Sequence, residues 1–142
     1  MENLNSKPFD VCVITTIHSL FDARIYERSL ESLVDYGFSA SLISPSQKPE
    51  NLWIKHQWIY FPYSKRCLER IAHGNRTFRA AYKQQTRIYY FHDIDFILWA
   101  VLLKSFKHVS VVYDCNENNP REIAFHKEWI PFLFRSGKKN RG

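Results

Sequence analysis

The chain has 142 residues, a length that suits one domain and excludes two complete α/β lobes. Its hydrophobic content of 45% supplies enough apolar side chains for a buried core and argues against a disordered chain. The formal net charge of +6 predicts anionic partners, which include phosphates, nucleic acid and acidic lipid, without choosing among them.

The first predicted elements are a buried strand and an amphipathic helix. Residues 9–16 form a nearly continuous apolar run rich in β-branched side chains, which is typical of a strand buried on both faces of a parallel sheet. Residues 22–36 carry one apolar stripe at helical spacing, and Gly37 follows as a helix stop. The chain therefore begins with a β-α unit.

The alternation of strands and helices continues along the chain. Further strands are predicted at residues 38–44, 53–61, 87–91 and 109–113. Further helices are predicted at residues 65–85, 95–106 and 120–134, the first with a break or kink near Gly74 and Asn75.

This alternation predicts an α/β fold, a Rossmann-like parallel sheet with helices on both faces joined by right-handed crossovers. The domain is expected to cover residues 9–135. A polar tail at residues 1–8 precedes it, and a basic polar tail at residues 136–142 follows it.

Polar residues cluster after three of the predicted strands, at residues 15–24, 92–95 and 114–120. Because ligands bind beyond the carboxyl ends of the strands in open α/β sheets, we expect the three clusters to meet at one edge. His92 beside Asp93, and Glu117 after Asp114, place ionisable groups where acid–base or hydroxyl-binding chemistry is carried out.

Structural interpretations of the same residues stay open. Asp22 and Asp95 also suit helix caps, and His18 and His92 also suit hydrogen-bonded structural histidines. His18, His92, Asp93 and Asp95 are metal-ligand types, but their spacing matches no known zinc site, and we expect no metal. The sequence lacks a Gly-x-Gly-x-x-Gly motif after the first strand and a phosphate-binding P-loop, which argues against dinucleotide binding and excludes a P-loop NTPase.

The segment Lys65–Arg87, which contains the predicted helix at residues 65–85, is basic and amphipathic, with Glu69 as its one acidic residue. Such a helix suits an anionic membrane surface. An ordinary solvated helix face and a nucleic-acid contact are the alternatives, although no recognised nucleic-acid-binding module is present.

The location of the protein is inferred from its cysteines and its apolar runs. The three cysteines, Cys12, Cys67 and Cys115, are widely spaced and odd in number, which favours a reducing compartment. No signal-peptide pattern opens the chain, and the longest apolar run, residues 97–103, is far shorter than the roughly 20 residues that span a bilayer. We expect a cytoplasmic protein, soluble or peripheral on the inner face of the membrane.

Three segments of the chain resemble the N-terminal domain of family-4 glycosyltransferases with the two-lobed GT-B fold, as in bacterial enzymes of surface-polysaccharide assembly. Residues 18–25 read His-Ser-Leu-Phe-Asp-Ala-Arg-Ile and residues 89–93 read Tyr-Tyr-Phe-His-Asp. Residues 112–123 read Val-Tyr-Asp-Cys-Asn-Glu-Asn-Asn-Pro-Arg-Glu-Ile. Three departures from the family pattern stand in these segments or directly after them. Tyr90 and Asn116 occupy positions where relatives commonly have histidine, and Ile94-Asp95 replaces the common Pro-Glu. An asparagine keeps hydrogen bonding but cannot shuttle a proton near neutral pH.

The resemblance implies that this domain binds the acceptor of a sugar transfer. His92 and Asp93 would orient or deprotonate the acceptor hydroxyl, and the acceptor or donor would also meet His18, Asp22, Arg24, Asn116 and Glu117. The donor, a nucleotide-sugar co-substrate rather than a cofactor, would be held mainly by a C-terminal lobe. Since residue 142 precedes any such lobe, we expect an incomplete N-terminal lobe that is inactive by itself.

Two alternatives to a glycosyltransferase half stay open. The chain could be a non-catalytic binding subunit that works with a separate donor-binding protein. It could also be a stand-alone basic α/β domain that binds anionic ligands or nucleic acid. Steeply salt-dependent binding of DNA or RNA would favour that last alternative, and we expect no nucleic-acid partner.

Overall fold

The computed structural model describes residues 8–17, 25–45, 55–58 and 66–115. The described residues form the strands β1 (Phe9–Ile14), β2 (Ala40–Ser44), β3 (Lys55–Trp58), β4 (Thr86–Phe91) and β5 (Ser110–Tyr113). The helices are α1 (residues 26–35), α2 (Cys67–Lys83) and α3 (Ile97–Lys107). The helix predicted at residues 120–134 lies outside the described residues.

The strands form one parallel sheet in the order β3-β2-β1-β4-β5. The first strand in sequence lies at the centre and pairs with β2 on one side and β4 on the other. At its carboxyl end, Ile14 lies opposite both Ile43 and Phe91, and Phe91 lies opposite Tyr113. The predicted α/β, Rossmann-like fold is confirmed.

Helices cover both faces of the sheet, as predicted, and each face has its own apolar core. On one face, Val11 and Val13 of β1 pack with Ile25 and Leu30 at the start of α1. On the other face, Cys12 and Ile14 join a larger cluster that includes residues of α2 and α3. Residues 11–14 are at most 3% exposed, which explains why β1 reads as an unbroken apolar run.

Helix α1 begins with a wide turn. Tyr26–Glu31 is π-helical, and Ser32–Asp35 continues it as α-helix. The Leu30 N–H donates to the Ile25 carbonyl at 3.0 Å, five residues back rather than four. The sequence predicted a helix here but did not predict its π-helical turn.

The C-terminal ends of α2 and α3 are joined by a lysine. Lys107 at the end of α3 donates from Nζ to the carbonyls of Tyr82 and Gln84 at the end of α2, and to Tyr89 Oη at 2.8 Å. A cation at a helix C-terminus is favourable because the last carbonyls carry partial negative charge. Burial lowers the pKa of Lys107. This contact fixes both helices to the middle of β4.

The sequence predicted a break or kink near Gly74 and Asn75. The prediction of a break is wrong, because α2 runs as one helix from Cys67 to Lys83. Gly74 has a packing role instead. A Cβ atom on Gly74 would lie 2.1 Å from Nε1 and 2.6 Å from Cδ1 of Trp99 on α3. The Phe78 ring, with its centroid 5.7 Å from that of Trp99, packs on the same indole. Glycine therefore allows α2 and α3 to approach closely.

Substituting Gly74 by alanine tests this close approach. Gly74→Ala should lower the free energy of unfolding by about 1–2 kcal/mol. Overpacking destabilises by roughly 1–3 kcal/mol, and the higher helix propensity of alanine offsets about 1 kcal/mol of that loss at most. Urea unfolding followed by circular dichroism measures the change.

The neighbouring substitution Asn75→Ala is the control, and it should leave stability equal or slightly raised because alanine is the better helix former. In a Trp99→Leu background, the cost of Gly74→Ala should largely disappear, since the shorter side chain leaves room for the new methyl group. A Gly74→Ala variant as stable as the parent would show that the indole moves aside freely.

Candidate functional site

Three strand ends bring polar side chains together at one edge of the sheet. Thr15 and Thr16 follow β1, His92 and Asp93 follow β4, and Asp114 follows β5. Because β1 lies beside β4 and β4 beside β5, the described members of the three predicted clusters are neighbours. We call these five residues, together with Tyr90 and Ser29, the edge cluster.

Asp93 connects the end of β4 to the end of β1. Its side chain is buried, with only 4% of the residue exposed. Oδ2 of Asp93 accepts hydrogen bonds from Thr16 N at 2.6 Å, Thr15 Oγ1 at 3.1 Å and Thr16 Oγ1 at 3.2 Å. One carboxylate oxygen thus accepts three hydrogen bonds from the residues that follow β1. Because hydrogen bonds to a charged acceptor are strong, they hold the two strand ends in register.

His92 lies between helix α1 and the end of β5. Its Nε2 atom is 3.3 Å from Ser29 Oγ, and its Nδ1 atom is 3.4 Å from Asp114 Oδ2. The His92 side chain is 6% exposed, so its two ring nitrogens face protein groups. An imidazole between a carboxylate and a hydroxyl is the arrangement that acid–base catalysis uses to orient a histidine.

Tyr90 supports the same carboxylate. Its hydroxyl donates to Asp114 Oδ2 at 2.7 Å, and its ring meets the His92 ring edge to face with centroids 5.0 Å apart. Burial, followed by the hydrogen bond to Asp114, raises the pKa of Tyr90 to about 12. The phenol is therefore a neutral hydrogen-bond donor throughout the physiological pH range.

Sequence analysis did not assign Tyr90 and Ser29 to the site. Tyr90 counted as a departure from the family pattern, yet it lies on β4, the strand that His92 directly follows. Ser29 is a polar residue at helical spacing from Ile25 and Leu33, within the apolar stripe of α1, and it is 6% exposed. A polar side chain on a buried stripe needs a hydrogen-bond partner, and this signal could have identified Ser29.

The candidate binding residues His18, Asp22, Arg24, Asn116 and Glu117 lie outside the described residues. Their roles stay predictions. They adjoin described parts of the edge cluster in sequence, since His18 follows Thr16 by two residues and Asn116 follows Asp114 by two.

Asp95 is not a helix cap. It lies in the short 3₁₀ turn Ile94–Phe96 that precedes α3, and neither helical segment has Asp95 at its N-cap position. Instead it forms an ion pair with Arg70 of α2, and both side chains are about nine-tenths buried. Asp95 thus anchors α2 to the turn after Asp93, and Arg70 is removed from the exposed basic face of α2.

In the part of the chain that the structure describes, no three His, Cys, Asp or Glu side chains are grouped closely enough to hold a metal ion. The same residues contain no helix of the length and hydropathy that crossing a membrane requires.

Comparisons of the chain with family models, with curated proteins and with solved structures give no match. Function is therefore inferred from the chemistry of the edge cluster and from the motifs in the sequence.

Removing the phenol of Tyr90 should change how stability depends on alkaline pH. The pKa of Tyr90 is about 12 in the folded chain and about 10 in an unfolded one, so the unfolded chain loses its proton first. Stability supplied by the neutral phenol is complete below about pH 10 and is lost as the pH rises towards 12. Tyr90→Phe should therefore reduce the loss of stability over that interval.

Urea midpoints measured from about pH 9 to about pH 11 give this slope. Tyr36→Phe, at a position that is 84% exposed, is the control and should keep the parent slope. Tyr89, whose pKa burial also raises, maintains part of the slope in every variant. Equal slopes for Tyr90→Phe and the parent would contradict the assigned environment of Tyr90.

Proposed function

We propose that the chain is the acceptor-binding half of a glycosyltransferase, which transfers a sugar from a nucleotide-sugar donor to a glycan or lipid-linked acceptor. The observation that carries the proposal is the position of His92 and Asp93 at the carboxyl edge of a parallel sheet, beside the ends of β1 and β5. A second lobe that binds the donor is required for the reaction, so the domain by itself should bind without turning over.

Several features support an acceptor made of sugar. The carboxyl edge is where Rossmann-like sheets bind ligands, and here it presents hydroxyl, imidazole and carboxylate groups close together. Hydroxyl and imidazole groups donate and accept hydrogen bonds and carboxylates accept them, so together they match sugar hydroxyls, which do both. The motif at residues 89–93 carries both candidate catalytic residues, and it is one of the three segments that resemble family-4 glycosyltransferases.

The geometry favours different tasks for the two candidate catalytic residues. Oδ2 of Asp93 already accepts from Thr15 and Thr16, which favours an orienting task at the strand ends. His92 has a carboxylate at one ring nitrogen and a hydroxyl at the other, which favours a proton-accepting task.

In the proposed reaction the acceptor oxygen bonds to the anomeric carbon of the donor sugar. The bond from that carbon to the phosphate oxygen breaks, and the nucleoside diphosphate leaves with the electron pair. The proton of the acceptor hydroxyl passes to His92. A base of this kind contributes roughly 10²–10⁴-fold to a rate when it is well placed.

Sugar binding at the edge cluster is the direct test of this proposal. Methyl glycosides of glucose, galactose, mannose, rhamnose and N-acetylglucosamine are titrated separately into the isotope-labelled full chain. At least one should shift the amide signals of Thr16 and Asp93, because those amides lie beside the acceptor site. His92→Gln should weaken the binding of that glycoside by at least about tenfold, which corresponds to about 1.4 kcal/mol of binding free energy.

His108→Gln is the matched control, because His108 is exposed and lies at the far end of α3. It should leave glycoside affinity unchanged. No shift with any glycoside, or equal losses in the two histidine variants, would refute acceptor binding at His92. Salt-sensitive binding of a DNA or RNA oligonucleotide in the same titration format would favour the stand-alone nucleic-acid domain instead.

The proposal includes a peripheral position on an anionic membrane, because α2 and α3 expose a mixed basic and apolar surface. The contact of Gly74 with Trp99 shows that the two helices lie side by side. We call the following exposed residues of these helices the docking face: Leu68, Ile71, Arg76, Arg79, Tyr82, Lys83, Leu98, Val101 and Phe106.

Large apolar side chains dominate the docking face. Leu68 is 80% exposed, and Leu98 and Phe106 are each 63% exposed. Arg79 and Lys83 are also exposed and lie on the solvent side of α2. Apolar groups that can enter the lipid interface, with basic groups that meet acidic headgroups, are the composition of an interfacial helix. A lipid-linked acceptor would then be reached from the membrane surface.

Vesicle flotation tests the docking face. The chain should float with vesicles that contain phosphatidylglycerol and stay in solution with pure phosphatidylcholine. Replacing Arg79 and Lys83 together by glutamine should weaken binding roughly tenfold to thirtyfold, because each basic residue near the surface contributes about 1 kcal/mol.

The paired control is Arg28→Gln with Arg87→Gln, which removes the same charge from exposed positions outside α2 and α3. Equal weakening by the two pairs would mean that net charge, rather than the docking face, drives binding. If the chain does not float with acidic vesicles, the membrane part of the proposal is refuted.

A further inference from the structure

We propose that Asp114 and Tyr90 are positioning residues that hold neutral His92 in the tautomer with its proton on Nδ1, so that Nε2 is the hydrogen-bond acceptor. Only the use of Nε2 in sugar transfer rests on the proposed function. The tautomer itself is a property of the ligand-free chain and can be measured without a substrate.

Asp114 determines which ring nitrogen carries the proton. An ionised carboxylate only accepts hydrogen bonds, and its Oδ2 lies 3.4 Å from Nδ1 of His92. A proton on Nδ1 turns this contact into an attraction, whereas a bare Nδ1 would turn its lone pair towards a negative charge.

Tyr90 fixes the carboxylate and the plane of the imidazole. Its hydroxyl donates to the same Oδ2 of Asp114 at 2.7 Å, which restricts rotation of the carboxylate. Its ring meets the His92 ring at an interplanar angle of 87°, with centroids 5.0 Å apart. A carboxylate that contacts one ring nitrogen of a histidine commonly fixes the tautomer of the ring and the direction in which the other nitrogen points.

Ser29 occupies the other side of the ring. Nε2 of His92 lies 3.3 Å from Ser29 Oγ. With the proton on Nδ1, Nε2 would accept from this hydroxyl, and an incoming sugar hydroxyl would have to take the place of Ser29. The chain Tyr90–Asp114–His92–Ser29 connects β4, the end of β5 and α1 through one histidine.

Nitrogen NMR of the histidine rings tests the tautomer in the full ligand-free chain, at a pH where His92 is neutral. The signals of His92 are assigned as those missing from His92→Gln. We expect a protonated, pyrrole-type Nδ1 and an unprotonated, pyridine-type Nε2. In Asp114→Ala, His92 should change to the Nε2-protonated form, or to a mixture of the two.

Asp35→Ala removes an exposed carboxylate from α1 and is the matched control, which should keep the parent tautomer. Ser29→Ala should keep the proton on Nδ1 and move only the Nε2 signal, because its donor is lost. If Asp114→Ala does not fold, the spectra of the parent chain and of Ser29→Ala still show which ring nitrogen of His92 carries the proton. A parent chain with its proton on Nε2 overturns the inference, as does a folded Asp114→Ala with an unchanged tautomer.

This experiment and the glycoside titration fail in different ways. A chain with an Nδ1-protonated His92 that binds no glycoside would refute the proposed function and leave the positioning network in place. Glycoside binding by a chain whose His92 carries its proton on Nε2 would keep the function and overturn the roles of Asp114 and Tyr90.

Discussion

The central strand β1 imposes the constraint on which the rest of the described structure depends. It is paired on both edges, by β2 and β4, and covered on both faces, so its interior residues have no contact with water. Polar side chains in such a strand would be costly to bury without partners. Polar chemistry is therefore confined to the point where the strand ends, at Thr15 and Thr16.

The buried carboxylate of Asp93 extends that constraint to the neighbouring strand. By accepting from the β1 end, it fixes the backbone after β4, and the turn that follows places Asp95 against Arg70 of α2. His92, one residue before Asp93, is consequently presented to α1 and to Asp114. One set of hydrogen bonds thus aligns two strands, a helix and the ring of the candidate base.

The fold and the position of the edge cluster could be predicted from the sequence because they follow from periodicity. An apolar run at residues 9–16 requires a strand whose two faces are both buried. Parallel strands bring their carboxyl ends to one edge of the sheet whatever their side chains are. The individual partners could not be predicted in this way. Which hydroxyl faces His92 depends on the rotation of α1, and no local pattern gives that rotation. Gly74 shows the same limit, since a helix-breaking residue and a close helix contact look alike in a sequence.

Helix α1 begins with a π-helical turn, and this has a consequence for how the helix tolerates a change in length. Ile25 and Leu30 are both 1% exposed although five positions separate them, which the wider turn accommodates. Removing one residue from this turn would leave four positions between Ile25 and Leu30, the spacing at which an ordinary α-helix places two side chains on one face. The residues after the turn would then keep their faces, and the strands on either side could keep their register. The π-helical turn thus takes up one residue locally, so that the length of this part of the chain can change by one residue without turning the rest of α1 away from the sheet.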